Sequence, residues 1–269
     1  MRDIVSSFPS APISSFQEDG KLNDAEIERY SRHLILPEIG GVGQQKLKKS
    51  RVLVVGAGGL GCPLLSYLVA AGVGHIGIVD DDIVARSNLQ RQILFHEHDI
   101  GQNKAESAAA HLRAQNSHIT ITAYPERLKA DNIAALMHSH DIIADGTDNF
   151  TTRYLVADHA TMQKKPLISA AINRFDGYLS NFKPYLQRPF PEDKQYYPHY
   201  RDIFPEQSND MNLENCVQNG VLGVLAGLIG CLQALEVIRE ITGFDTEHSL
   251  LGKLLLVDAL TLRFEKISL

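Results

Sequence analysis

The sequence predicts an α/β fold, a mostly parallel sheet with helices on both faces, continued by an antiparallel C-terminal portion. Three observations predict it. Between residues 51 and 171, strand-like apolar runs alternate with helical periodicities, a pattern that builds parallel strands joined by crossover helices. The first strand runs into a glycine-rich turn, Gly56-x-Gly58-x-x-Gly61, and an acidic residue, Asp80, closes the next strand-like run. After residue 171 the alternation stops, and the chain closes with one long apolar helix and two strands.

The elements follow in order. Residues 1–20, rich in Ser and Pro, read as a mobile tail. Asn23 or Asp24 can cap a helix over about 24–34, where Ile27, Tyr30, Leu34 and Ile35 recur at helical spacing. A short basic helix at about 43–50 leads into strand 51–55. Helix 59–71 then precedes strand 75–80, helix 103–115 precedes strand 118–123, helix 131–138 precedes strand 141–145, and helix 149–163 precedes strand 166–171. The segment INRFDGYLSNFKPY is extended, with a turn expected at Asp176-Gly177. Residues 184–214 lack periodicity, and a loop of that length is usually functional or mobile. Helix 219–242 carries Gly220, Gly223, Gly227 and Gly230, small residues that permit close packing within the chain or against a second copy. Two strands, about 253–258 and 261–267, end the chain.

Composition narrows the class. The 269 residues, 44% hydrophobic, can bury a sizeable core as one large domain or two small ones. A net charge of −6 argues against a nucleic-acid partner. The longest apolar stretch, 220–232, is too short to span a bilayer, so no membrane partner is expected. Three cysteines without paired spacing, Cys62, Cys216 and Cys231, and no secretory leader fit a reducing cytoplasm.

The glycine turn is a nucleotide-binding fingerprint and makes the expected fold Rossmann-like. Gly56 permits the tight turn, Gly58 lets backbone approach phosphate, Gly61 lets the helix pack closely, and Asp80 is placed to accept from ribose hydroxyls. Such a fold binds its ligand at the carboxyl ends of the strands. Loops reaching that edge carry Asn88, Arg91 and Gln92 in SNLQRQ, Lys104 at a helix start, and Asp145, Asp148 and Asn149 in DGTDN. Two cations, a phosphate-cradling backbone and a carboxylate for a metal describe an ATP·Mg²⁺ site. Taken singly, Arg91 and Lys104 read as surface cations, and Asp145 and Asp148 as helix caps. An NAD-dependent oxidoreductase is disfavoured by SNLQRQ and DGTDN, whose phosphate-directed charge it does not need, and by the lack of an evident acid/base group for hydride transfer.

RYSRHLILPEIG, GAGGLG, DDDIVARSNLQRQILF, IGQNKAESA, DGTDN and CVQNGVLGVLAGLIGCLQALEVI together resemble the bacterial MoeB/ThiF/HesA adenylyltransferases, relatives of ubiquitin-activating enzymes, from about Arg29 to the C-terminus. The resemblance implies one adenylation domain over 21–269, with a nucleotide-binding part at about 50–171 and a carrier-binding and dimer part at about 172–269. It implies ATP-dependent adenylation of the C-terminal glycine carboxylate of a small β-grasp sulfur-carrier protein ending in Gly-Gly, serving molybdopterin or thiamin synthesis. A separate sulfur donor protein is implied too, since no rhodanese-like segment follows.

Position by position, the resemblance places Gly59 on the nucleotide, Asp80 on ribose, Asn88, Arg91, Gln92 and Lys104 toward the phosphates, Asp148 on Mg²⁺ and Asn149 beside the nucleotide. Arg32 matches an arginine that crosses from the partner subunit of a homodimer. Cys216 matches a cysteine that in some members joins covalently to the activated carrier, and a helix N-terminus there would lower its thiol pKa. The chain departs from the family at the structural zinc. The first CxxC pair is replaced by His199-Tyr200-Arg201-Asp202 and the second is absent, so zinc is expected to be missing, with Tyr196, Tyr197, Tyr200 and Phe204 packing instead. Cys62 and Cys231 read as core residues. A non-catalytic nucleotide-binding relative, or one activating another peptide or a tRNA base, are the competing readings.

Overall fold

The computed structural model describes residues 21–189, 196–205 and 220–269. Eight strands form one sheet: β1 (Arg51–Val55), β2 (His75–Val79), β3 (Thr120–Tyr124), β4 (Ile142–Asp145), β5 (Leu167–Asn173), β6 (Asp176–Phe182), β7 (Lys253–Asp258) and β8 (Arg263–Ser268). Their order is β3-β2-β1-β4-β5-β6-β7-β8. β1 to β5 pair in parallel. From β5 onward each pairing is antiparallel. The expected mixed sheet is therefore present.

Period-two alternation explains why it is covered on both faces. Val52 and Val54 of β1 belong to a core shared with α4 (Gly61–Ala71), α5 (Lys104–Gln115) and α9 (Gly223–Thr242). Leu53 and Val55 point the other way, into a core with α6 (Ile133–His138) and α7 (Phe150–Met162). The first three helices are α1 (Asp24–Arg29), α2 (Ser31–Leu34) and α3 (Gly40–Lys49).

Four expectations need correction. The helix expected over 24–34 is two helices, broken at Tyr30, whose φ of −95° and ψ of 11° leave the helical region. Tyr30 is buried there, its hydroxyl accepting from Asn116 Nδ2 at 2.9 Å. The hairpin turn is Arg174-Phe175, with Arg174 at φ 52°, while Asp176 and Gly177 already pair with Asn173 and Ile172. The long apolar helix begins at Gly223, after an extended Leu222, and Gly220 lies ahead of it at φ 71°. Cys231 is only partly buried, whereas Cys62 is wholly so.

Within the aperiodic segment, α8 (Tyr200–Ile203) docks on the sheet. Tyr200 is 1% exposed, meets the rings of Tyr154, Phe182 and Phe204, and shares a 2.8 Å hydroxyl contact with Tyr178. Tyr197 lies under the Arg188 guanidinium, but Tyr196 is exposed and packs little. His199 and Asp202 form the capping box of α8, Asp202 Oδ2 accepting from the His199 N–H at 2.8 Å. Among the described residues no helix is long and apolar enough to cross a membrane. The segment 1–20 and Cys216 lie outside the described residues.

Candidate functional site

The chain leaves β1 for β2 and β3 on one side, then returns to β4 on the other. That reversal opens a crevice at the carboxyl ends of β1, β2 and β4. A cleft of about 660 Å³ occupies it. Its walls are the glycine turn after β1, the acidic run after β2, the crossing loop at 87–92, Lys104, and the 146–153 segment.

The glycine turn is shaped by two steric demands. Gly56 sits at φ 94°, a left-handed conformation open to glycine. At Gly61 a Cβ would stand 2.0 Å from the Gly56 carbonyl oxygen, so the first turn of α4 closes on the loop only without a side chain. Gly58 and Gly59 line the cleft; Gly61 lies behind it.

Asp80 fixes the same turn from below. One carboxylate oxygen accepts from the Ala57 N–H at 2.7 Å and the other from the Asp82 N–H at 2.9 Å. Burial raises its pKa, while Lys104 and the two N–H donors pull against that. Asp80 therefore lines the cleft as expected and also holds the loop that would cradle phosphate. Lys104, only 6% exposed, reaches the rim through a 2.8 Å ion pair with Asp82, which is largely solvated. Asn103 caps α5 by accepting from the Glu106 N–H, which sets Lys104 in the first turn.

The crossing loop folds on itself. Asn88 Oδ1 accepts from the Ala85 N–H, Arg91 Nη1 donates to the Ser87 carbonyl, and Gln92 is buried with its Oε1 unpartnered. Arg91 and Gln92 lie over the glycine turn, since side chains at Gly59 and Gly58 would meet Arg91 Cγ at 3.4 Å and Gln92 Nε2 at 3.7 Å. A buried acceptor beside a phosphate-type loop is a group that a ligand hydroxyl or amino group would satisfy.

In DGTDN the residues part company. Asp145 is wholly buried; it accepts from the Thr147 N–H and hydroxyl and from the Ser169 hydroxyl, so it shapes the turn instead of facing a ligand. Asn149, not an aspartate, caps α7 through the Thr152 N–H at 2.9 Å. Asp148 is exposed on the cleft wall and makes no ion pair with a described cation. It is thus free to serve a metal, whereas in the separate Asp80, Asp81 and Asp82 group, with ligand atoms within 4.8 Å of one another, Asp80 and Asp82 are already engaged. Hard oxygen donors of this kind fit Mg²⁺.

Two cleft cations had no signal in the spacing. Arg153, 5% exposed in the first turn of α7, donates through Nε to the Thr147 carbonyl at 3.0 Å. Arg127 lines the same cleft. Each reads in sequence as an ordinary helix or loop charge, and only the topology brings it to the crevice. Arg32, by contrast, is exposed on α2 and is not part of its own chain's cleft.

Comparison with known proteins agrees with this geometry. The ThiF family model matches residues 30–269. The chain is 44% identical over 261 residues to mouse "Adenylyltransferase and sulfurtransferase MOCS3", covering 97% of this chain and 53% of that protein. It is 44% identical over 248 residues to "Probable adenylyltransferase/sulfurtransferase MoeZ" of Mycobacterium tuberculosis, covering 92% of this chain and 61% of that one. The "SAMP-activating enzyme E1" of Haloferax volcanii is 41% identical over 246 residues, 91% of this chain and 86% of that protein. The chain thus spans about half the length of the MOCS3 relatives it matches. Among solved structures, PaaA has a TM-score of 0.73 at 22% identity, covering 96% of this chain and 77% of that one. Escherichia coli MccB, crystallised with ATP, has a TM-score of 0.69 at 21% identity, covering 91% and 72%. These two likenesses concern the fold.

Proposed function

Since this chain belongs to the ThiF family, we propose that it adenylates the C-terminal glycine carboxylate of a small β-grasp sulfur-carrier protein, using ATP and releasing pyrophosphate. The observation that carries this reading is the single cleft that joins the glycine turn, Asp80, Asn88, Arg91, Gln92, Lys104, Asp148 and Asn149 at the switch point of the sheet. Relatives named as adenylyltransferases and as a SAMP-activating enzyme support it.

In the proposed reaction a carboxylate oxygen of the carrier attacks the α-phosphorus, forming the acyl–phosphate bond as the bond to pyrophosphate breaks. The nucleophile is already ionised at neutral pH, so no strongly shifted general base is required. The protein positions the reactants and stabilises charge at phosphorus. Asp80 accepts from ribose while holding Ala57, and the glycine turn offers N–H donors to phosphate. Arg91 and Lys104 balance the triphosphate charge, Lys104 by exchanging its Asp82 partner for the ligand. Asp148 would hold Mg²⁺, which supplies further neutralisation of phosphate charge when bound. Asn88, Gln92 and Asn149 orient the nucleotide.

Arg32, exposed and outside its own cleft, is assigned to the cleft of a second copy in a homodimer. Exposed Ile93 and Val224 flank the place where α9 meets the crossing loop, with the Gly223 position against the Gln90 carbonyl. That apolar rim suits a protein surface docking beside the cleft. The pathway is assigned to molybdopterin or thiamin synthesis.

ATP–pyrophosphate exchange against a panel of small carriers ending in Gly-Gly tests the function. Exchange dependent on one carrier is expected. ATP binding with no exchange for any carrier would overturn the assignment.

A further inference from the structure

A second cluster of ligand-type side chains lies away from the nucleotide cleft. His96, His98 and Asp99 follow the crossing loop, and His111 faces them from α5. Each can offer one ligand atom, and these atoms all lie within 4.8 Å of one another. His111 Nε2 is 2.8 Å from Asp99 Oδ2, His96 Nδ1 is 3.6 Å from the same oxygen, and His98 Nε2 is 3.5 Å from Asp99 Oδ1. The ring centroids of His96 stand 5.2 Å from His98 and 4.8 Å from His111.

We propose that His96, His98, Asp99 and His111 form a binding site for a borderline divalent transition cation, zinc foremost. Three imidazoles and one carboxylate are a donor set that zinc takes in tetrahedral geometry, with metal–ligand bonds of about 2.0–2.2 Å. Such bonds bring ligand atoms to roughly 3.3 Å from one another. The three imidazoles already stand 2.8–3.6 Å from one or the other Asp99 oxygen, and all four ligand atoms lie within 4.8 Å, so closing on an ion needs ring movements on the order of 1 Å. Asp99 is already fixed: it is 3% exposed, and its Oδ2 accepts from the His96 N–H at 2.7 Å across a short 3-10 turn. His96 and His98 are exposed and can swing onto the ion. Glu97, between them, faces Arg86 at 3.0 Å and stays out of the cluster.

The placement gives the ion a structural consequence. The loop that ends at Asp99 carries Asn88, Arg91 and Gln92, and α5 carries Lys104 two turns before His111. A bound cation ties these two cleft-forming elements together on the side away from the nucleotide.

The test uses untagged full-length protein, titrated with Zn²⁺ in excess Mg²⁺ so that the nucleotide cleft does not contribute. One equivalent of zinc per chain is expected, with a zinc-dependent rise in Tm. Co²⁺ in its place should give a tetrahedral d–d spectrum without the near-ultraviolet band of thiolate ligation. Losing an outer-shell partner of a metal ligand already costs about 10–100-fold in affinity, so His98→Ala and His111→Ala should each weaken binding by at least ~100-fold. His98 is largely solvated, so its variant keeps the wild-type circular dichroism and separates lost binding from lost fold. Substoichiometric binding, a thiolate band, or zinc retained by the His98→Ala/His111→Ala double variant would each overturn the site.

Discussion

At the scale of single residues, the cleft carboxylates differ in what already occupies them. Asp145 is taken up by Thr147 and Ser169, Asp80 by the N–H groups of Ala57 and Asp82, and Asp82 by Lys104. Asp148 lines the cleft, exposed and without a described hydrogen-bond partner. Its removal breaks no described hydrogen bond, so Asp148→Ala should leave circular dichroism and Tm unchanged while abolishing carrier-dependent ATP–pyrophosphate exchange. Wild-type-like exchange in that variant would remove Asp148 from metal binding. Sequence spacing placed Asp145 and Asp148 alike, because burial of one and exposure of the other depend on Ser169 and Gln233 from distant elements. His140 gives a residue-scale prediction of a different kind. Its Nδ1–H donates to the Leu136 carbonyl at 2.7 Å, leaving Nε2 unpartnered and packed where a Cβ on Gly77 would stand 2.5 Å away. Burial lowers its pKa to about 4. The unfolded chain, with His near 6.5, then binds the proton more readily, so this residue's contribution is intact above about pH 6.5 and falls as pH drops toward 4. The His140 imidazole resonances should stay flat from pH 8 to 5; a midpoint near 6.5 would contradict the buried neutral ring.

At the scale of elements, the two glycine classes show what a sequence conveys and what it withholds. The turn between β1 and α4 is legible because its spacing encodes a steric requirement, and Gly61→Ala tests that requirement directly. The added methyl meets backbone at Gly56, which cannot rotate away as a side chain can. A loss of about 1–3 kcal/mol in stability is expected, with weakened ATP binding. Gly41, in α3 with nothing within 4 Å, is the control: Gly41→Ala should stabilise by roughly 0.5–1 kcal/mol on helix propensity alone. Equal denaturant midpoints for the two variants would refute the steric account. Gly177 shows the limit. Asp176-Gly177 reads as a turn pair, yet Gly177 is a strand residue kept small because Ile229 of α9 packs on it, where a Cβ would meet Ile229 Cγ1 at 2.9 Å. The turn itself uses Arg174 in a left-handed conformation, for which its identity gives no sign. Gly230 likewise admits the Leu60 carbonyl and Pro63, so part of the α9 packing anticipated from its small residues is internal to the chain.

At the scale of the whole molecule, the order of elements was legible throughout the alternating region, because each strand–helix unit buries its own periodic face. The cleft was legible only in part, since Arg127 and Arg153 reach it through topology and not through motif. The remaining question is whether one chain completes the site. Arg32 projects from α2 outside its own cleft, so the proposed homodimer makes a prediction that a self-sufficient chain does not. Arg32→Ala and Arg91→Ala should each lower exchange by on the order of 10²–10³, as loss of a charge-stabilising donor does. If Arg32 serves the partner's cleft, mixing the two variants and allowing subunits to reassort creates heterodimers with one site that has both arginines and one that has neither. At equal ratio about half the dimers are mixed, so exchange should recover to about one quarter of the wild-type level. If Arg32 acts within its own chain, every site in the mixture lacks one arginine and activity stays at the level of the separate variants. Recovery also requires that the two copies share a stable interface, so sedimentation of the wild-type chain as a dimer and complementation between the variants must appear together.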